Sequence, residues 1–416
     1  MRVLFTSWAW PSHVYPMVPL AWACAAAGHE VRIATPPGLE SVVLRAGLTP
    51  VRIGRETDVT DVIRGFVKGP GRPDGVSKAQ ASANGLAKGQ GNGYGAPLSA
   101  PGLAERMPRA LGMFVDLAVC MADDLTAFAR DWGADLIVYD PTAWAGPLAA
   151  AAVGVPAVRQ LYGADLLSPA RDAIVRALQP LGERLGVGPV DPLGTLTIDP
   201  CPATLQDGLP GTRRRMRYLP YHGVHDHHAA VPPARGDRPV VCVTWGTTMT
   251  RLGQEFFLAG QVARSLTALD AEIVLAVTPQ QRDTLGPLPE DVRVTVSAPL
   301  RLLLPGVDVL VHHGGAGSML TGLVNGLPQL AMPQLPDHIG HARRLAATGA
   351  GLSLDPAEGF AEARVRDAVE RLLGSPEYGR AARRLSAEMA AHPTPSAVVS
   401  ELEHLAGALR AGVTLS

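Results

Sequence analysis

The chain has 416 residues, 47% of them hydrophobic, 18% charged and 5% aromatic, and its 37 Lys and Arg nearly balance 38 Asp and Glu for a formal net charge of -1. At about 150 residues per domain this is enough for two or three domains with cores of their own, and the lack of a basic excess argues against a nucleic-acid partner or an anionic membrane surface. The cysteines Cys24, Cys120, Cys201 and Cys242 are scattered with no Cys-x-x-Cys pair, which excludes a redox dithiol or a short-spaced zinc knuckle and predicts a cytoplasmic chain without a disulfide framework.

Residues 2–6 read as a strand, because the apolar stretch at the start is far shorter than the roughly 7–15 residues of a signal peptide. A loop over 7–16 leads to a helix over 18–27 that stops at Gly28, then to a strand over 30–34. Residues 64–101, rich in Gly, Lys, Gln, Asn and Ser, read as an excursion from the first domain, either a lid or a disordered stretch. A strand over 136–139 ends at Asp140, with a helix through Ala152 and a strand over 156–160 behind it. The longest apolar run, 143–158, is broken by Gly146, Pro147, Gly154 and Pro156, so no membrane span is predicted. Residues 205–239, rich in Pro, Gly, Arg and His, read as a linker, with Arg213, Arg214 and Arg215 as a solvated face and His222, His225, His227 and His228 as a solvated hinge rather than a metal site. Strands then follow over 240–244, 272–277, 292–296 and 307–311, a helix over 318–324, a strand over 329–332 and a final helix over 396–411. Continuous apolar strands alternating with helices predict parallel sheets covered on both faces. The pattern occurs twice, giving an α/β chain of two doubly wound domains, residues 1–204 and 240–395, with a terminal helical segment 396–416.

The sharpest constellation is an apolar strand running into His313, Gly314, Gly315, Ala316, Gly317 and Ser318, followed by a helix. Unpaired N–H groups and the macrodipole at a helix N-terminus suit a phosphate, and glycines let the backbone approach it. A tight turn without a ligand uses the same residues. A dinucleotide fingerprint fails because Leu320 stands where its last glycine belongs, and no Gly-Lys-Ser/Thr of a P-loop is present. Asp337 and His338 fall beyond the next strand, where an acid can accept from sugar hydroxyls or cap a helix.

The run from His313 to Ser318, the run from Gly326 to Gln334, Asp337 and the segment from Gly349 to Gly351 resemble the donor signature of the GT-B glycosyltransferases of family 1. The segments from Ser12 to Trp22 and from Leu136 to Trp144 are similar to the bacterial branch that decorates polyketides, aromatic polyketides best of all. This resemblance spans nearly the whole chain. It implies two facing Rossmann-like domains, acceptor in the first and nucleotide-sugar in the second, with the last helix crossing back onto the first. It implies an inverting, metal-independent transfer of a deoxysugar from a nucleotide diphosphate, dTDP in preference to UDP, to a hydrophobic aromatic aglycone in antibiotic biosynthesis. The nucleotide-sugar is a co-substrate and no cofactor is expected; a homodimer is compatible with this reading.

Carried over residue by residue, the resemblance makes His13 the general base and Asp140 its orienting carboxylate. A histidine of ordinary pKa suits removal of an acceptor proton, and a carboxylate on its other nitrogen fixes the tautomer. Thr247, Thr248, His313, Gly315, Ala316, Gly317 and Ser318 would hold the diphosphate, and Asp337 and His338 the sugar. Ser297 and Ala298 stand where the family often has tryptophan and valine, so backbone contacts near Ala298 replace stacking on the nucleobase. His338 replaces the usual glutamine. Among the aromatics Trp8, Trp10, Phe66, Tyr94, Phe114, Trp144 and Tyr162, the three tryptophans flank the expected catalytic positions and are assigned to the acceptor. Transfer to oxygen or to an activated carbon stays open, and two rival readings, a catalytically silent binding protein of the same fold and a nucleotide-sugar epimerase, make different predictions for turnover.

Overall fold

A computed structural model describes residues 1–55, 101–206, 208, 210–224 and 237–410. The excursion expected at 64–101 lies outside the described residues except for Pro101, as do Phe66, Tyr94, His225, His227 and His228.

The first sheet has seven parallel strands: β1 (Arg2–Thr6), β2 (Glu30–Thr35), β3 (Pro50–Arg52), β4 (Leu136–Tyr139), β5 (Ala157–Gln160), β6 (Leu196–Asp199) and β7 (Arg213–Arg215), in the order β3-β2-β1-β4-β5-β6-β7. The second has six: β8 (Val240–Thr244), β9 (Glu272–Val277), β10 (Val292–Val296), β11 (Val309–His312), β12 (Gln329–Ala331) and β13 (Gly351–Ser353), in the order β10-β9-β8-β11-β12-β13. Every pairing is parallel, with Thr6 opposite Tyr139 and Thr244 opposite His312. The two doubly wound α/β domains expected from the sequence are present.

Both sheets are covered on both faces, which is why their strands are apolar throughout rather than alternating. Leu4 and Ile137 join the core formed with Met121, Leu125 and Leu148. Val3, Phe5 and Val138 face the opposite way, onto Val18, Leu20, Val398 and Leu402. The last two belong to the final helix Pro395–Arg410, which therefore packs on the first domain, with His29 Nε2 3.0 Å from Glu403 Oε1. The two backbone crossings between the domains run side by side, for Arg217 N donates to Pro393 O at 2.7 Å.

Several boundaries moved. The strand expected at 307–311 is Val309–His312, and the helix expected from Ser318 starts at Ala316. A helix at Pro101–Trp132 was not anticipated; Leu117, Met121, Ala122, Leu125 and Ala129 form its buried stripe at helical spacing. The expected linker begins too early, because Arg213–Arg215 forms an edge strand paired with β6. This also corrects the solvated arginine face. The pleat turns Arg213 and Arg215 onto the buried Asp199 carboxylate, each at 2.9 Å, while only Arg214 points out, toward Glu401.

Arg213 also reaches Asp165 at 3.2 Å, and Asp165 pairs with the buried Arg159 at 2.5 Å. Desolvation pushes the Asp165 carboxyl up, but Arg159, the Ser168 N–H and Arg213 outweigh it and hold it below the usual carboxylate range. Its pairing thus stabilises fully above about pH 4 and is lost as the pH falls through the lower folded pKa. Asp165→Ala, which strands the Arg159 charge, is expected to cost about 3–5 kcal/mol at neutral pH. Chemical denaturation measures it, and an unchanged midpoint would contradict the assignment. All four cysteines are free, three of them buried, and among the described residues no helix is long and apolar enough to cross a membrane.

Candidate active site

In each sheet the strand order reverses between two neighbours, β1 and β4 in the first, β8 and β11 in the second. Open parallel sheets bind ligands outside the carboxyl ends of strands at such a reversal. The loops leaving all four strands line a single cleft of about 800 Å³ between the domains.

From the first domain, His13 sits in the short helix Pro11–Val14 after β1, and Asp140 directly follows β4. Register does the rest: Asp140 N donates to Thr6 O, so the two loops are adjacent although their residues lie far apart in sequence. His13 Nδ1 meets Asp140 Oδ2 at 2.8 Å, with the carboxylate 1% exposed and the imidazole 13%. An ionised carboxylate only accepts, so Nδ1 carries the hydrogen and Nε2 is left as the basic nitrogen. The imidazole is flanked by Trp8 and Tyr162, with ring centroids 4.8 and 4.4 Å away. Burial holds the Tyr162 phenol protonated, its pKa raised well above the usual value.

From the second domain comes the anion loop. Gly315, in extended conformation, caps the nine-residue helix Ala316–Val324. Gly314 has φ +90°, a conformation that side chains resist, and its N–H donates to His312 Nδ1 at 3.0 Å. His313 is wedged beside two glycines, since a Cβ on Gly246 would lie 2.6 Å and one on Gly315 2.4 Å from its ring. Burial, with His338 and His312 adding to it, pushes His313 well below the ordinary histidine pKa, so its ring offers a hydrogen bond and no charge at neutral pH. His313 Nδ1 and His338 Nδ1 are buried without a partner among the described residues. His338 packs on His313 with ring centroids 4.8 Å apart. Desolvation raises the Asp337 carboxyl, yet the imidazoles of His338, His341 and His13 outweigh it and hold it below its usual range. Its carboxylate stays open to the cleft, 42% exposed.

Most of the expected site residues meet in this cleft: His13, Trp8, Trp10, Thr247, Thr248, Ala298, His313, Gly315, Ala316, Gly317, Ser318, Asp337 and His338 all line it. Asp140 stands behind His13. Ala298 follows Ser297, which has φ +58° and whose N–H donates to Val277 O. Trp144 is a correction. It is fully buried in the first core, its Nε1 donating to Pro141 O at 3.0 Å and its ring edge-on to Phe114, so it does not reach the acceptor space. The helix that starts beside it turns the ring inward, where Phe114 separates it from the cleft that Phe114 itself lines. His222 is the second correction. Instead of a solvated hinge it lines the cleft and meets Thr321 of the anion-loop helix at 3.3 Å.

The domains touch closely here. Trp10 Nε1 donates to Thr248 Oγ1 at 3.2 Å across the cleft, and a Cβ on Gly163 would lie 2.7 Å from the Ala316 Cβ and 2.8 Å from His341 Nε2. Sequence reading missed Thr142, whose hydroxyl and N–H both serve Asp140. The signal was the Asp-x-Thr spacing of an Asx turn. Gly163 gave no signal at all.

Models of the family described as erythromycin biosynthesis protein CIII-like match residues 106–246 with their N-terminal domain and 260–405 with their C-terminal domain. The 10-deoxymethynolide desosaminyltransferase of Streptomyces venezuelae is 36% identical over 98% of this chain and 97% of its own. The aklavinone 7-beta-L-rhodosaminyltransferase of Streptomyces galilaeus is 35% identical over 99% of this chain and 97% of its own. Among solved structures, the glycosyltransferase VinC in complex with dTDP is similar with a TM-score of 0.76 at 30% identity, covering 98% of this chain and all of that one.

Proposed function

The chain belongs to the erythromycin biosynthesis protein CIII-like family of glycosyltransferases, and on that premise we propose that it transfers a deoxysugar from a dTDP-sugar to an aromatic polyketide-type aglycone, with inversion. The acceptor O–H gives its proton to His13 Nε2 as its oxygen bonds to the anomeric carbon. The bond from that carbon to the diphosphate breaks, and its electron pair leaves with the phosphate. Asp140 stabilises the imidazolium that forms. A single displacement reverses the anomeric configuration.

The leaving charge falls to the N–H groups of Ala316, Gly317 and Ser318, the hydroxyls of Ser318, Thr247 and Thr248, and the neutral His313 ring. Preorganised donors of this kind are worth roughly 2.7–4 kcal/mol each by mutation. Asp337 and His338 take the sugar, and backbone near Ala298 takes the base. The stacked pair Trp8 and Trp10, with centroids 5.9 Å apart, together with Phe114 and Tyr162 suits a flat apolar acceptor.

The observation that carries this reading is that one cleft is lined by both a carboxylate-paired imidazole and a glycine-rich helix N-terminus. The test incubates the purified protein with a panel of dTDP-deoxysugars, with and without aklavinone or 10-deoxymethynolide, and follows dTDP release and product configuration. The expected result is acceptor-dependent release, faster with aklavinone, giving a product of inverted configuration. Turnover without acceptor would indicate an epimerase, and no release with any donor a silent binding protein.

A further inference from the structure

The loop after β4 carries a hydroxyl that the base pair uses and that no role yet described requires. Thr142 is 2% exposed at the cleft wall. Its N–H donates to Asp140 Oδ1 at 2.9 Å, its Oγ1 donates to the same oxygen, and Oγ1 accepts from Trp8 Nε1 at 2.7 Å. Oγ1 also stands 3.4 Å from His13 Nδ1. A hydroxyl has one hydrogen and two lone pairs. With the indole N–H held on a lone pair, the hydrogen is steered to Oδ1, and Oδ2 stays with the imidazole. The bonds thus run in one direction, from Trp8 through Thr142 to Asp140. The turn itself does not need the hydroxyl, because the Thr142 N–H and the bond from Ala143 N to Asp140 O at 2.8 Å already close it.

We infer that Thr142 is a positioning residue, which with Trp8 pins one carboxylate oxygen of Asp140 so that the other is presented to His13. A terminal carboxylate torsion is broad, so without those donors Asp140 can turn and the imidazole loses its fixed tautomer. The inference rests on the proposed role of His13 as base. Trp8, through its N–H, is the head of the chain.

Thr142→Val, which replaces the hydroxyl by a methyl of similar shape, is compared with Thr142→Ser and His13→Ala. For the valine variant kcat is expected to fall roughly 10- to 100-fold, the size of an effect that leaves buried polar groups without partners. Acceptor KM and dTDP affinity are expected to hold within about twofold. The acid limb of the kcat/KM profile moves to lower pH, because a carboxylate free to turn away from Nδ1 stabilises the imidazolium less; the titratable groups facing His13 are Asp140, Tyr162 and Asp337. Thr142→Ser restores kcat to within a few-fold. A valine variant with unchanged kcat and profile, beside an inactive His13→Ala, overturns this inference alone; full turnover in His13→Ala overturns the base assignment itself. If the valine variant does not fold, Trp8→Phe decides, with a several-fold lower kcat and the same shift expected, and an unmoved profile counting against the inference.

Discussion

His13→Ala is expected to lower the rate of sugar transfer by about 10²- to 10⁴-fold while dTDP binds as before. The alcohol or phenol of the acceptor is a poor nucleophile until its proton leaves, and the imidazole held at 2.8 Å from Asp140 is the proposed base, on the first domain's side of the cleft. The proposed diphosphate grip lies on the other domain and does not involve this ring, so single-turnover rates and calorimetric dTDP affinity should separate cleanly. Asp140→Ala is expected to act in the same sense. The two losses should not add, because the residues form one unit. Wild-type turnover in both variants would remove the proposed base.

Gly315→Ala is the second large effect, and it falls on binding. The added Cβ would sit 2.4 Å from His313 Nε2 and 2.9 Å from Cε1. Gly246 also lies close to this ring, since a Cβ there would be 2.6 Å from Cε1. Either the imidazole or the start of the helix must shift, which misplaces the donors proposed to meet the diphosphate. Losing one such donor is worth roughly 2.7–4 kcal/mol, so dTDP affinity is expected to fall by at least about 100-fold. Overpacking should also lower stability by about 1–3 kcal/mol. Calorimetry and thermal melting check the two together, and undiminished dTDP affinity would show that this turn does not hold the nucleotide.

Much of this was legible because the chemistry sits on the parts of a doubly wound sheet that sequence pattern reveals best. Strands such as Leu136–Tyr139 and the run up to Val311 are uninterrupted apolar runs, so the residues just beyond them, including Asp140 and His313, could be placed at strand ends. Whether two strand ends are neighbours is a matter of strand order, and there the family resemblance supplied what periodicity lacks. The errors share a cause. Arg213 and Arg215 look like solvent-facing charge because buried Asp199 and Asp165 lie elsewhere in the sequence. Trp144 looks like a site residue because it stands near Asp140, yet the helix beginning at Ala145 turns it into the core. Thr142, also close to Asp140, faces the pair instead. Such differences of direction come from tertiary packing and leave no mark in a hydropathy pattern.

The paired backbones at Arg217 and Pro393 bear on how specificity could be rebuilt. Because the last helix returns to the first domain, that domain is discontinuous in sequence, and the second is an insert whose two joints lie 2.7 Å apart. A transplant of nucleotide-sugar preference from a relative therefore has to cut the chain at both joints. A fusion with one crossover would give the first domain a foreign closing helix against Val18 and Leu20. A double cut spares that packing and leaves the contacts of Gly163 with Ala316 and His341 as the seam to be matched.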